Sequence, residues 1–161
     1  MAELQVARHD SERYRWEMVT RAAPPSLRGF VRSYTGYEEW SAEPLCRREV
    51  PHADIVLILS PDSVLSVPER HVSFVAGLHD REAHVGHGGS QHGVEVRLTP
   101  LGAYALFGVP MHELANRVVE LDDLVGSAEL AERMWDAGAW EHRFAVLDGA
   151  FARASREPSS E

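Results

Sequence analysis

The sequence predicts an α+β chain in which a small antiparallel β-barrel or sandwich precedes a C-terminal helical bundle. Three observations carry that prediction. Up to Leu98 the apolar residues come in short runs of period two, separated by Gly and Pro. At Thr99-Pro100 the period changes to that of a helix. Finally, Trp140, Phe144, Leu147 and Phe151 fall at i, i+4, i+7 and i+11, the apolar stripe of an amphipathic helix.

A chain of 161 residues favours one domain, large enough to bury roughly 70% of its unfolded surface without staples. We place that domain at 1–155, β-rich over 1–98 and helical over 99–155, with 156–161 as the start of a linker or a frayed tail. The net charge of −9 and the lack of any long basic run argue against the chain gripping nucleic acid by itself. All sixteen basic residues are Arg, which we read as a coding bias and not as chemistry. One cysteine, Cys46, has no intramolecular partner and fits a reducing compartment. Met1 to Arg21 has scattered charges and no apolar core, so neither a signal peptide nor a membrane span is expected there. The expected location is the cytoplasm.

Residues 12–21 alternate as a strand, with Tyr14, Trp16 and Met18 on one face, and Pro24-Pro25 ends it. Leu27, Phe30, Val31 and Tyr34 are spaced as a short helix starting near Ser26. Tyr34 to Trp40 returns to strand, and Ser41 to Pro44 reads as loop. Asp54 to Leu59 is β-branched and apolar, a central buried strand closed by Ser60-Pro61-Asp62, with Val64 to Val67 as its partner across the turn. His71 to His79 alternates as a further strand. Gly86 to Gly89 reads as a turn before Val94, Val96 and Leu98, the apolar face of the last strand.

Thr99 is placed to cap a helix with Pro100 at its first position, and Gly108 and Pro110 mark its end and the start of another. Ser127 is expected to cap a helix bearing Leu130, Met134 and Ala137, which Gly138 closes.

Chemical motifs are sparse. His71, His79, His84, His87 and His92 crowd one region with Asp80 and Glu82. No His-x-His occurs, so the metal signature of the cupin barrel is missing, and no metal or cofactor is assigned. Cys46 beside Arg47 and Arg48 lacks a nucleophile elbow, and Gly86-His87-Gly88-Gly89 precedes a strand where a phosphate loop needs a helix. No catalytic residue is assigned. Leu101 to Val118 imitates a helix-turn-helix, but its second segment offers Met111, His112, Glu113 and Asn116, a poor surface for phosphates. Glu95 and Arg97 share a strand face opposite Val94, Val96 and Leu98. On a solvent face they are an ordinary surface pair; on a lumen Arg97 becomes a candidate for holding an anionic ligand. Trp135 and Trp140 read as core.

The run Leu98-Thr99-Pro100-Leu101-Gly102-Ala103, with Leu106 to Pro110 and Glu113-Leu114-Ala115, resembles the N-terminal regulatory domain of a group of AraC-family transcriptional regulators rich in actinobacterial members. Leu27 to Tyr37, Arg48 to Pro51, Ile55 to Leu59, Gly77 to His79, Gln91, Gly93 and Val94 extend the likeness upstream, and Leu124 to Gly126 and Trp140 to Asp148 extend it downstream. The resemblance implies a cupin-like barrel with a helical tail. It also implies a non-enzymatic, homodimeric domain that binds an unknown small-molecule effector and reaches DNA only through an attached C-terminal domain, which this chain lacks. Tyr104 stands where many members carry Arg. His79, Arg97 and Tyr104 are the candidate ligand-binding residues. Two other functions compete: a small metal-dependent barrel enzyme using the histidines of 79–92, and a stand-alone interaction module.

Overall fold

The computed structural model describes residues 3–67, 69–123 and 128–156. Within them lie nine antiparallel strands followed by helices. The strands are β1 (Gln5–Asp10), β2 (Tyr14–Ala22), β3 (Val31–Glu49), β4 (Ile55–Leu59), β5 (Leu65–Val67), β6 (Glu69–His71), β7 (Phe74–Ala76), β8 (Ala83–Leu98) and β9 (Val118–Glu120). The helices are α1 (Pro100–Phe107), α2 (Met111–Leu114), α3 (Ala128–Asp136) and α4 (Trp140–Ala154). The main path through the sheet is β1-β2-β3-β8-β4-β7-β9, and the β5–β6 hairpin joins it where Ser66 meets Gly86. No pairing links β1 to β9, so the sheet is open and its two ends stay apart.

Alternation gives the sheet two faces. One carries Val31, Tyr34, Val94, Val96, Leu98, Ile55, Leu57, Leu59 and Val75, all buried, against Met134, Phe144, Leu147 and Phe151 of the helices. Each such side chain contributes about 1.5–3 kcal/mol on burial. Tyr34 anchors this layer. Its ring stacks on Phe144 at 5.4 Å and on Phe151 at 6.2 Å, and its hydroxyl donates to Asp148 Oδ1 at 2.8 Å. The other Asp148 oxygen accepts from Arg21 at 2.6 Å, tying α4 to β2.

The period switch at Thr99 is a true joint. Thr99 Oγ1 accepts from the Gly102 amide at 2.9 Å and donates to the Gly29 carbonyl at 2.8 Å, so one hydroxyl caps α1 and fastens it to the segment before β3. Gly102 sits so close to that segment that a Cβ would lie 2.0 Å from the Phe30 carbonyl oxygen. Gly108 (φ 65°) closes α1 in the left-handed conformation, as the sequence implies. The DNA-reading imitation dissolves: α2 is a single turn and is followed by strand β9.

Several expectations need correcting. No helix starts at Ser26; a 3-10 turn at Pro25–Leu27 leads directly into β3. The register between β3 and β8 shifts between Val31 and Ser33, so Val31 and Tyr34 face the same core although three apart, and a bulge imitates helical spacing. Ser41 to Pro44 is not a loop but part of β3, at a second register shift between Ser41 and Leu45, where a proline is tolerated. Gly86 to Gly89 is not a turn: β8 runs through it. Gly89 takes φ 65° opposite the shift. β5 pairs with β6 and β8, not with β4, and only Phe74–Ala76 of 71–79 joins the main sheet path, with Glu69–His71 pairing β5. β1 and β9 escaped the sequence reading because β1 is exposed throughout and β9 is three residues long. Helix α3 contributes Ala131 and Met134 to the core, and Gly138 (φ 81°) follows its end at Asp136. The expected Ser127 cap, the Leu124 to Gly126 match and the tail from 157 lie outside the described residues.

The close approach at Gly102 is testable. Gly102→Ala is expected to cost about 1–3 kcal/mol, seen as a lower denaturation midpoint at unchanged slope. Gly29→Ala, with open space around it, is expected to stay within about 0.5 kcal/mol.

Candidate functional site: a hollow on the open face of the sheet

The face opposite the helices lines a hollow of about 300 Å³. Val56, Ile58, Leu65, Val67, Phe74, Ala76, Val85 and Val118 form apolar walls, drawn from β4, β5, β7, β8 and β9. Thr35, Tyr37 and Glu39 of β3 face it, as do His87, Gln91, Glu95 and Arg97 of β8. Thr35, Tyr37 and Glu39 of β3 and Glu95 and Arg97 of β8 therefore serve this hollow, while their neighbours Tyr34, Val94, Val96 and Leu98 serve the helix core.

A buried polar cluster occupies one part of the wall. Both Glu39 oxygens lie 2.7 Å from Arg47 Nη2, which also donates to the Tyr14 hydroxyl. His87 Nε2 lies 2.5 Å from Glu39 Oε1, set off the ideal hydrogen-bond line. The side chains of Glu39 and His87 are each 4% exposed, so their mutual pairing matters. Burial alone would raise the Glu39 pKa, but the contacts from His87 and Arg47 outweigh it and hold it below the ordinary carboxylate value.

Tyr37 stands opposite Gly93 in the β3–β8 register. A Cβ on Gly93 would lie 2.9 Å from the Tyr37 hydroxyl, so the glycine makes the room in which that ring lies. The hydroxyl is buried and finds no hydrogen-bond partner among the described residues. Burial, and then Glu95 and Glu39, push its pKa up, so it remains an O–H donor. Gln91, opposite Glu39, donates through Nε2 to the Val64 carbonyl at 2.9 Å and leaves a buried Oε1 unpartnered. His87 Nδ1 is likewise buried and unpartnered.

The structure brings two of the three candidate residues to the hollow. Arg97 lies at its mouth, with Nε donating to Glu95 at 3.0 Å and Nη1 3.7 Å from Asp54. His79 also lines it, its Nδ1–H donating to the Gly77 carbonyl at 2.6 Å. Tyr104 is not brought to them: it projects from α1, 48% exposed and outside the lining. Its position in the helix sends it to the side turned away from Gly102 and Ala103, which are the residues α1 buries.

The crowded histidines separate. His87 faces the hollow, His92 stacks on Trp135 at 4.2 Å on the helix face, His84 is exposed beside Glu82, and His71 pairs with Glu120. Among the described residues no three His, Cys, Asp or Glu side chains converge as a metal-binding group. The sequence reading missed Tyr37, Glu39 and Gln91, and weighed His87 only as a metal ligand. A signal was present: Thr35, Tyr37 and Glu39 alternate with Tyr34, Gly36 and Glu38, and an acid within an aromatic strand invites a buried partner.

What the fold and site define is a mixed α+β domain whose antiparallel sheet carries helices on one face and a ligand-sized hollow on the other. Residues 20–120 match the family described as a domain of unknown function, DUF6597, and the chain belongs to it. That span runs from within β2 through β9 and holds most of the hollow. Comparisons with curated proteins and with solved structures gave no match. Among the described residues no helix is long and apolar enough to cross a membrane.

Because Glu39 is held below its ordinary pKa, its pairing stabilises the fold fully above the unfolded carboxylate value, about 4.3, and that stabilisation fades as pH falls through the lower folded value. Glu39→Gln is therefore expected to cost about 1–3 kcal/mol near pH 7, part of the effect being screened at half-exposed Arg47. Denaturation curves taken from pH 7 down to 3 should show the difference between variant and wild type narrowing at the acid end.

Proposed function

We propose that this chain is the ligand-sensing and dimerisation domain of an AraC-type transcription regulator, passing an effector signal to a helix-turn-helix domain attached beyond α4. The observation that carries the reading is the placement of the hollow. It contains buried polar atoms that want a partner, and it lies across a single sheet from the helices that would lead onward. Its size and its mostly apolar lining suit a small molecule. The likeness of Leu98 to Ala103 and of the Gly108-Val109-Pro110 turn to the regulatory domains supports the assignment, because these residues build the joint between sheet and helices.

The polar groups in the hollow favour binding over catalysis. Glu39 is ionised and already held by Arg47 and His87, and Arg97 is held by Glu95, so these groups are engaged in maintaining the wall. A ligand that binds the folded chain shifts its stability by mass action, about 2.7 kcal/mol at a hundred times its dissociation constant. If that ligand also prefers one arrangement of sheet and helices, it selects how two attached DNA-binding domains are presented.

A thermal-stability screen of the chain against a panel of small metabolites tests this reading. The expected result is a concentration-dependent rise in melting temperature with at least one compound. Val56→Trp, which fills the hollow from β4, should abolish the rise while the variant remains folded. Sedimentation should show a dimer. A flat screen with a monomeric chain would overturn the proposal.

A further inference from the structure

We infer that the hollow selects an uncharged ligand, with an apolar body and a head group that both accepts and donates a hydrogen bond, such as a primary amide, a phenol or an alcohol. This inference rests on the ligand-sensing reading above and names the chemical class that the site would take.

Consider first what the charged groups leave over. The lining includes four carboxylates, Glu39, Glu49, Asp54 and Glu95, against three guanidiniums, Arg47, Arg81 and Arg97. An anion would enter against that balance. It would also have to displace Glu39 from Arg47, or Glu95 and Asp54 from Arg97. Arg81 offers little alternative, since its side chain is 87% exposed beside Asp80. A cation fares no better, because both oxygens of the buried Glu39 are already taken by Arg47, with His87 lying against one of them, and Glu95 accepts from Arg97. Putting a charged group beside a spent counter-ion leaves it desolvated without compensation.

Besides the His87 ring, the unsatisfied groups of the hollow are a hydroxyl and an amide oxygen. The Tyr37 hydroxyl is a donor in want of an acceptor, and Gln91 Oε1 is an acceptor in want of a donor. Their backbones are neighbours: Tyr37 pairs with Gly93 and Glu39 with Gln91, so the two groups sit one two-residue step apart across the β3–β8 ladder. Each is fixed from behind. The Tyr37 ring lies over Gly93, and the Gln91 amide is oriented by its bond to the Val64 carbonyl. A buried polar group left without a partner is costly, and a ligand that supplies one recovers that cost. Apolar walls from Ile58, Leu65, Phe74 and Val85 take the remainder of the molecule.

Four probes of one shape test the inference by titration calorimetry on the full chain: propylbenzene, 4-propylbenzamide, 4-propylbenzoate and 4-propylbenzylamine. The amide is expected to bind at least about tenfold tighter than the hydrocarbon and than either charged probe. Tyr37→Phe is expected to lose about fivefold to thirtyfold in amide affinity, with propylbenzene affinity unchanged. The free variant should melt no lower than wild type, because the hydroxyl it removes has no partner there. A charged probe binding tightest, a hydrocarbon binding as tightly as the amide, or a Tyr37→Phe variant that keeps full amide affinity would overturn the inference while leaving the hollow a binding site. Failure of all four probes together with a flat metabolite screen would overturn both. Should Tyr37→Phe fail to fold, the ranking of probes on the wild-type chain decides.

Discussion

The β3–β8 ladder is the constraint on which the rest of the molecule depends. It runs from Val31 opposite Leu98 to Glu49 opposite Ala83, and β8 is paired along its other edge by β4 and β5. A strand paired on both edges cannot rotate, so its side chains are committed to one face or the other. Val94, Val96 and Leu98 must enter the helix core, and Gln91, Glu95 and Arg97 must face the hollow. The two register shifts in the ladder adjust this commitment locally, turning Val31 inward at one end and admitting Pro44 near the other.

Because the wall is one sheet thick, what happens on one side is adjacent to what is held on the other. Tyr37 and Thr35 face the hollow, while Gly36 between them faces Trp140 so closely that a Cβ there would lie 2.3 Å from the indole ring. Trp140 in turn packs edge-on to Trp135, and the Arg143 guanidinium lies against both rings, 3.8 Å from one centroid and 4.4 Å from the other. A ligand seated against Tyr37 thus leans on the strand against which Trp140, the first residue of α4, packs. Two steps along β3, Tyr34 fixes the same helix through Asp148.

Much of this architecture was legible in the sequence, for physical reasons that can be named. The Val94, Val96 and Leu98 alternation, the Thr99-Pro100 cap and the Trp140 to Phe151 stripe are strong local signals, and each has the form expected of it. What misled were places where long-range pairing overrides local preference: the bulge beneath Val31 and Tyr34, the proline inside β3, and the glycines of β8. The candidate site was only partly legible. Arg97 and His79 lie at the hollow, but Tyr37, Glu39, His87 and Gln91 meet through strand register, which one sequence does not display. Tyr104 stands apart for a local reason, its side of α1 being the one turned outward.

The central claim is that one strand pair both walls the hollow and carries the helices, so occupancy on one face is felt on the other. Fluorine NMR of the 5-fluorotryptophan-labelled chain reads this directly, with Trp140→Phe assigning its resonance among the four tryptophans. On titration of a ligand that fills the hollow, the Trp140 resonance is expected to shift in step with binding. A resonance that stays fixed through saturation would contradict the account.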